Sequence, residues 1–414
     1  MTLTALHRLL GRPPGDLSEG LLDDAVAAGL AETDDLDWKS QLPPIRELKQ
    51  SDFPKDVAAM ANAGGGVLVY GVEEAQKKAT GRRDVGKVDE LYERALRSAA
   101  ITAISPPVFG LGIHRLGQPP NRALVVDVPA TVDGPHLIYR NDLFGAPIRN
   151  DADTVWMKER QVEAMYRARF DARRHATEAL DNLYDEAAAG RETRARAWLI
   201  AVAHPRIPNT PVSRPSRDDA RRVFKAAEDY ALFYAGRGGI HPLENVDRLN
   251  PRPGLRRWNA VSTVTNDADR WKEAWAAVHH DGSVTLAAAI AGHHQNNQRR
   301  LGGHVHSVSI ECAVADFMGM IRAIQEEAGT SEYEVRVGIE WTGDSPLIIH
   351  TVRNDRIYDG ASIPLAHYTP VTTTVLADAE DLDFYWQVHD LTEDCINQGG
   401  ITDVHLVKPP DRDA

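Results

Sequence analysis

Residues 32–74 read ETDDLDWKSQLPPIRELKQSDFPKDVAAMANAGGGVLVYGVEE, and three elements are legible in them. Leu36 and Trp38 alternate with Asp37 and Lys39, the period of a strand, so the apolar pair takes one face and the charged pair the other. Phe53, Val57 and Met60 then follow helical spacing, with Asp52 as the expected cap and Pro54 in the first turn. Asn62-Ala63-Gly64-Gly65-Gly66 ends that helix, because glycine takes the left-handed conformation without a Cβ penalty. Val67 to Val72 predicts a buried strand that carries Glu73 and Glu74 to its end. A strand, a helix and a strand thus bring Glu32, Asp37, Glu74 and Lys39 within reach of one another.

Three carboxylates at adjacent strand ends repel unless something neutralises them. Mg2+ or Mn2+ does so, since both prefer oxygen ligands and bridge readily to phosphate. Such a metal activates water and stabilises the leaving oxygen of a phosphodiester. Lys39 on the same face would hold the scissile phosphate or stabilise developing charge. The plainer account is that Asp37 and Lys39 form a surface ion pair worth at most about 1 kcal/mol. Asp34, Asp35 and Glu73 are competing acids, and strand alternation sends Glu73 and Glu74 to opposite faces, so that one of the two misses the site. The glycine run is not a nucleotide loop: it follows a helix and precedes a strand, and no Gly-Lys-Ser/Thr follows it.

The pattern Glu32-x4-Asp37-Trp38-Lys39, then Ala61-Asn62-Ala63-Gly64-Gly65-Gly66 and Gly71-Val72-Glu73-Glu74, resembles the Schlafen-type AlbA domain. Arg149, in APIRNDADTVWMKER, resembles the arginine near the end of that domain, and the resemblance covers roughly residues 20–170. It implies a mixed α/β nuclease domain in which Glu32, Asp37 and Glu74 hold the divalent metal and RNA, notably transfer RNA, is cleaved. Here aspartate stands where the second acid is usually glutamate, and glutamate where the third is usually aspartate; each keeps its carboxylate and changes its reach by one methylene. The resemblance selects Glu74 over Glu73.

The 414 residues suffice for two or three domains, and a 43% apolar fraction allows proper cores. No run of about 18 apolar residues occurs, so no membrane span is expected. The first residues lack the long apolar core of a secretory signal, and the two cysteines, Cys312 and Cys395, lie far apart; a cytoplasmic location without disulfides is the expectation. The net charge of −13 falls mainly after residue 170: residues 1–170 carry 21 basic and 24 acidic side chains, the remainder 26 and 36. That balance argues against a passive nucleic-acid coat, though not against a local basic groove.

The predicted fold class is α+β. Residues 1–31 read as a helical preface, with Leu21, Leu22, Ala25 and Val26 in one stripe, and 32–170 as the Schlafen AlbA-like domain. Residues 171–191 read as a helical linker and 192–414 as a second α+β domain, for sensing or partner binding. Lys77, Lys78, Arg82 and Arg83 lie in AQKKATGRRDVG, read as a turn-rich loop: either a solvated hairpin tip or, with Arg149, a phosphate clamp. In the second domain the expectations include a hairpin over 273–291, a helix from Val308 to Glu327 and a last strand from Ile401 to Val407. His293, His294, His304 and His306 sit in a polar stretch whose spacing matches no zinc pattern, and the reading there is a flexible loop. The DAEDLD run at 378–383 supplies negative charge to a helix N-terminus.

Two functional classes follow. The first is a metal-dependent endoribonuclease resembling Schlafen nucleases, cleaving structured RNA such as transfer RNA, with DNA the alternative nucleic-acid partner, in stress response or antiviral defence by family analogy. The second is a non-catalytic nucleic-acid-binding or transcriptional regulatory protein with the same fold. Schlafen nucleases use two similar lobes and one is detectable here, so a homodimer is expected.

Overall fold

The computed structural model describes residues 3–140, 143–208, 214–292, 294–295, 298–299, 302–353, 356–358 and 362–410. The chain divides into two compact α+β units, Met1–Arg173 and Arg174–Ala414. No helix among the described residues is long and apolar enough to cross a membrane.

The first unit opens with α1 (Ala5–Leu9), α2 (Glu19–Ala27) and β1 (Leu36–Lys39). α3 (Phe53–Asn62) leads to β2 (Gly66–Tyr70), β3 (Val72–Ala75), β4 (Lys78–Arg82) and α4 (Glu90–Thr102). There follow β5 (Ile104–Ser105), β6 (Gly112–Leu116), β7 (Ala123–Val128), β8 (Leu137–Arg140), β9 (Leu143–Gly145), β10 (Pro147–Asn150), β11 (Asp153–Trp156) and the start of α5 (Glu159–Ala188). The central sheet has the order β1-β2-β7-β6, with β1 parallel to β2 and the other pairs antiparallel. A parallel pair needs a crossover, and α3 supplies it. Period-two alternation gives the sheet two apolar faces: Leu68, Tyr70, Leu124 and Val126 pack with α3 and α4, while Leu36, Trp38, Val67 and Val69 pack with Leu6 and Leu22 of α1 and α2. The helical preface is therefore one layer of this unit.

Three local expectations are corrected. Val67 to Val72 is two strands broken at Gly71, whose φ of 101° and contact with the Arg83 carbonyl (2.9 Å from a built Cβ) exclude a side chain. The AQKKATGRRDVG segment is largely strand: β3 and β4 form a hairpin whose tip, Gln76-Lys77, has φ of 51° and 60°, as a tight two-residue turn requires. The pairing skips Thr80 of β4 between Glu73 and Glu74, and both glutamate side chains are exposed. The Asp52 side chain makes no cap bond; it pairs with Lys55 at 2.8 Å, and Ser51 Oγ accepts from the Phe53 N–H at 3.2 Å.

The second unit holds an antiparallel seven-stranded sheet. Its strands are β12 (Trp198–Pro205), β13 (Arg252–Gly254), β14 (Arg257–Ala260), β15 (Ala274–His279), β16 (Val284–Ala289), β20 (Glu332–Glu340) and β23 (Val371–Leu376), in the order β13-β14-β15-β16-β12-β20-β23. α6 (Arg217–Ala235), α7 (Ser307–Ala328) and α8 (Asp381–Asn397) cover one face around Phe224, Phe317, Tyr333 and Phe384. The later turns of α5 cover part of the other, where Leu180 and Tyr184 meet Trp198, Ile200 and Val202. β17 (His294–Gln295) with β18 (Gln298–Arg299), and β19 (His304–His306) with β21 (Ile348–Arg353) and β22 (Arg356–Tyr358), form small outlying sheets.

Two readings change here. His304 and His306 belong to β19 rather than to a loop, and His304 Nδ1 lies 2.9 Å from His350 Nε2 on the paired strand; His293 and the His294 side chain lie outside the described residues. The stretch Ile401–Val407 is not a strand. The amides of His405, Leu406 and Val407 instead donate to one carboxylate oxygen of the buried Glu311, at 3.0, 2.6 and 3.3 Å. A side-chain acceptor satisfies the donors that a β ladder would otherwise need.

Candidate functional site

Alternation along β1 turns Leu36 and Trp38 into the α1–α2 layer and leaves Asp37 and Lys39 on the face that α3 crosses. α3 brings Asp56 to that face. Asp56 is an acid inside an otherwise apolar helix stripe and is 4% exposed. From β10, Arg149 reaches the same point across more than one hundred residues of sequence.

These four side chains form one network. Arg149 Nη1 lies 3.1 Å from Asp37 Oδ1, and Lys39 Nζ lies 2.7 Å from Asp37 Oδ2 and 3.2 Å from Asp56 Oδ2. Arg149 also donates to the Thr33 carbonyl at 3.0 Å. The Arg149 and Asp37 side chains are 3% and 4% exposed, so this pair is desolvated, whereas Lys39 is one-third exposed. Burial pulls the Lys39 ammonium down, but the Asp56 and Asp37 carboxylates outweigh it and hold it above the ordinary lysine value. Burial raises the Asp56 carboxyl, and Lys39 only partly offsets this. Burial raises the phenol of Tyr70, beside the same acids.

Glu32 stands at the margin. Its Oε1 accepts from the Trp38 N–H at 3.0 Å, yet burial first, and then the negative charge of Asp37, push its carboxyl up to about 7. Glu74 adds in the same direction from exposed β3, and Arg149 opposes. Glu32, Asp37 and Glu74 thus share an electrostatic neighbourhood without closing on a common point: among the described residues no group of three or more Asp, Glu, His or Cys side chains converges to hold a metal. Both oxygens of Asp37 face cations of the protein itself. As arranged, this donor set does not fit a divalent ion, which needs carboxylate oxygens free to turn toward it.

The expected phosphate contacts separate into two kinds. Arg82 is nearly buried and binds Asp23 and the Asn121 carbonyl, and Arg149 is taken up by Asp37 and Thr33. Lys77 bonds to Asp153 and donates to the Ala152 carbonyl at 3.0 Å. Lys78 is exposed, and Arg83 is 45% exposed, its ion pair among the described residues being with Glu73 at 3.8 Å. Solvent therefore reaches Lys78 and Arg83, and also Lys77, whose side chain is 42% exposed beside its Asp153 partner. Asp56 is the site residue that sequence reasoning passed over; the available signal was a carboxylate between Phe53 and Val57 on a helix face that packs inward.

A parallel β1–β2 pair closed by a helix and a glycine turn, with an aspartate held between an arginine and a lysine, defines the first unit as a mixed α/β domain built around a buried charge network. Residues 32–158 match the Schlafen AlbA_2 family model, in line with the resemblance of this part of the sequence to a Schlafen-type AlbA domain. Among solved structures, the N-terminal domain of a RecG-related protein from Nitrosomonas europaea, described as an ATP-dependent DNA helicase relative, is 19% identical. That match covers 35% of this chain and 94% of the other, with a TM-score of 0.26. A Corynebacterium diphtheriae protein is 17% identical over 51% of this chain and 33% of its own, with a TM-score of 0.23. No curated protein matches the chain.

Proposed function

We propose that the protein binds nucleic acid, RNA in preference to DNA, through the AlbA domain without metal-dependent cleavage, and that it works as a homodimer. The observation that carries this reading is the engagement of both Asp37 oxygens by Arg149 and Lys39, which leaves the site's central acid neutralised from within. Exposed Lys78 and Arg83, on the β4 hairpin beside the network, supply phosphate contacts. Exposed Tyr139, Leu143, Phe144 and Trp156 on neighbouring hairpins offer an apolar face for a second copy. The test is titration of a labelled RNA hairpin and a DNA duplex of equal length with the full chain, in EDTA, over a salt series. RNA binding retained in EDTA, weakened by salt and by Lys78→Glu, supports the reading; no binding at low salt overturns it. Light scattering that reports a monomer at micromolar concentration removes the dimer.

A second reading, a metal-dependent endoribonuclease with a stress or antiviral role, is favoured by one observation: Glu32 is pushed up to about 7, partly by Asp37 and Glu74, a strain that Mg2+ or Mn2+ would relieve. It requires Asp37 to exchange Lys39 for the cation. RNA cleavage in Mn2+ that EDTA and Asp37→Asn both abolish would select this reading over the first.

A further inference from the structure

The second unit has a cleft that the first unit's chemistry does not involve. α5 covers only part of its sheet face, and past Leu183 and Ala187 a cavity of about 390 Å³ opens over β13 to β16. That volume lies within the range of about 300–1,000 Å³ usual for small-molecule pockets. Strand register builds its floor. Arg252 pairs with Asn259, Asn259 with Ala277, and Ala277 with Thr285, one row across four strands; Arg257, two residues before Asn259, shares that face. Ala277 and Ala287 keep the floor low, and Trp275 forms a wall.

The charge of this lining is out of keeping with its surroundings. Residues after 170 carry a net charge of −10, yet the cleft holds Arg191, Arg252 and Arg257 against a single acid, Glu186. Glu186 is committed to Arg257 at 2.7 Å. Neither Arg191 nor Arg252 forms an ion pair among the described residues. The Arg191 guanidinium lies 5.1 Å from the Trp275 ring centroid and 5.4 Å from that of Trp198, and burial pulls it below its ordinary value. Arg257 Nε is buried without a hydrogen-bond partner. Arg191 Nε donates to the Ala187 carbonyl at 3.1 Å and the Glu273 charge opposes the effect of burial, but the rest of its guanidinium forms no ion pair among the described residues. An anion in the cleft would engage it and the unpartnered Arg257 N–H, which costs stability as it stands.

We propose that this cleft binds a small organic anion of the mononucleotide class. The phosphate lies against Arg252 and Arg257, whose planar forks match its oxygens. The flat base lies on the Ala277–Ala287 floor beside Trp275, and Asn259 offers both a donor and an acceptor to its edge. The second unit is then the ligand-sensing part of the chain, independent of whether the AlbA domain cleaves or only binds.

The experiment is calorimetric titration of the full chain with AMP, GMP, CMP, UMP and inorganic phosphate, each alone, together with tryptophan fluorescence. At least one nucleotide is expected to bind at sub-millimolar concentration, more tightly than phosphate, with a change in tryptophan emission. Arg252→Ala should weaken it about tenfold or more, the scale of one charge-assisted hydrogen bond. The thermal midpoint of the unliganded protein should not move, because Arg252 is exposed and unpaired. Asn259→Asp should weaken binding further by adding a carboxylate beside the phosphate, and Lys225→Ala on α6 should leave it unchanged. Failure of all four nucleotides to bind overturns the proposal. So does binding that Arg252→Ala and Asn259→Asp both leave intact, or phosphate binding as tight as any nucleotide.

Discussion

Replacing Asp37 by asparagine tests the charge network. From the sequence, removal of one acid from an acidic trio is expected to spare or improve folding by relieving repulsion. The ion pairs reverse that sign. Asp37 is the shared anion of Arg149 at 3.1 Å and Lys39 at 2.7 Å. The Arg149 contact is desolvated on both sides, and removing one partner of such a pair costs about 3–5 kcal/mol. Asparagine keeps an acceptor oxygen for Arg149, which places the loss near the lower end. Lys39 is one-third exposed and retains Asp56, so its share is about 1 kcal/mol or less. The total is about 3 kcal/mol, and for a unit of 173 residues that lowers its thermal midpoint by about 6–12 °C. Differential scanning calorimetry of the full chain follows the transition of this unit. Arg149→Met in the Asp37→Asn background should cost much less than Arg149→Met alone, because the two residues are coupled. An Asp37→Asn variant that melts at or above the parent would falsify the reasoning, whatever its effect on nucleic acid.

Three further outcomes are expected. Glu32 has a folded-state pKa of about 7 against an unfolded value near 4.5, so the folded state holds the extra proton and stability falls as pH rises through that window. Glu32→Gln should therefore raise the midpoint at pH 8 relative to the parent and lose that advantage near pH 4.5; an equal gain at both pH values refutes it. Gly65→Ala, at φ 95° with a built Cβ 2.8 Å from the Val128 carbonyl oxygen and the Ala130 nitrogen, should destabilise the first unit by about 2 kcal/mol or more in urea titration, and a neutral result would mean that the 129–130 backbone yields freely. Glu311→Ala should speed hydrogen exchange at the amides of 405–407 before any global loss of structure; unchanged protection there removes Glu311 as their anchor.

Much of this was legible because local periods dominate. Period two on β1 puts Asp37 and Lys39 on one face, and 3.6-residue spacing with a triple glycine sets α3 and the turn into β2. The helix and strand patterns of the second unit emerge for the same reason, since long runs such as Trp198–Pro205 and Ser307–Ala328 leave one reading open. What stayed hidden depends on distant partners. Spacing does not reveal that Arg149 folds back onto Asp37, or that Asp56 completes the network. The hairpin pairing skips Thr80 opposite Glu73 and Glu74, a local irregularity that alternation along β3 does not reveal. Ile401–Val407 has the composition of a strand, yet its amides go to a carboxylate more than ninety residues earlier. The arginine cleft appears only when Arg252, Arg257 and Arg191 are brought together by register and by a helix end.

The anchoring of residues 405–407 on Glu311 also sets a timetable. Glu311 and the His405 amide are separated by 94 residues. At a synthesis rate of about 5–20 residues per second, Glu311 leaves the ribosome about 5–20 s before the amides that surround it exist. During that interval α7 carries a carboxylate at a position that ends fully buried, among residues whose partner Val407 has not been made. The first unit, complete by residue 173, is under no such delay. The nascent chain therefore passes through a stage in which the first unit and every strand of the second unit's sheet are made while Glu311 still lacks the amides of residues 405–407, and synthesis of that stretch is what lets the buried carboxylate be satisfied.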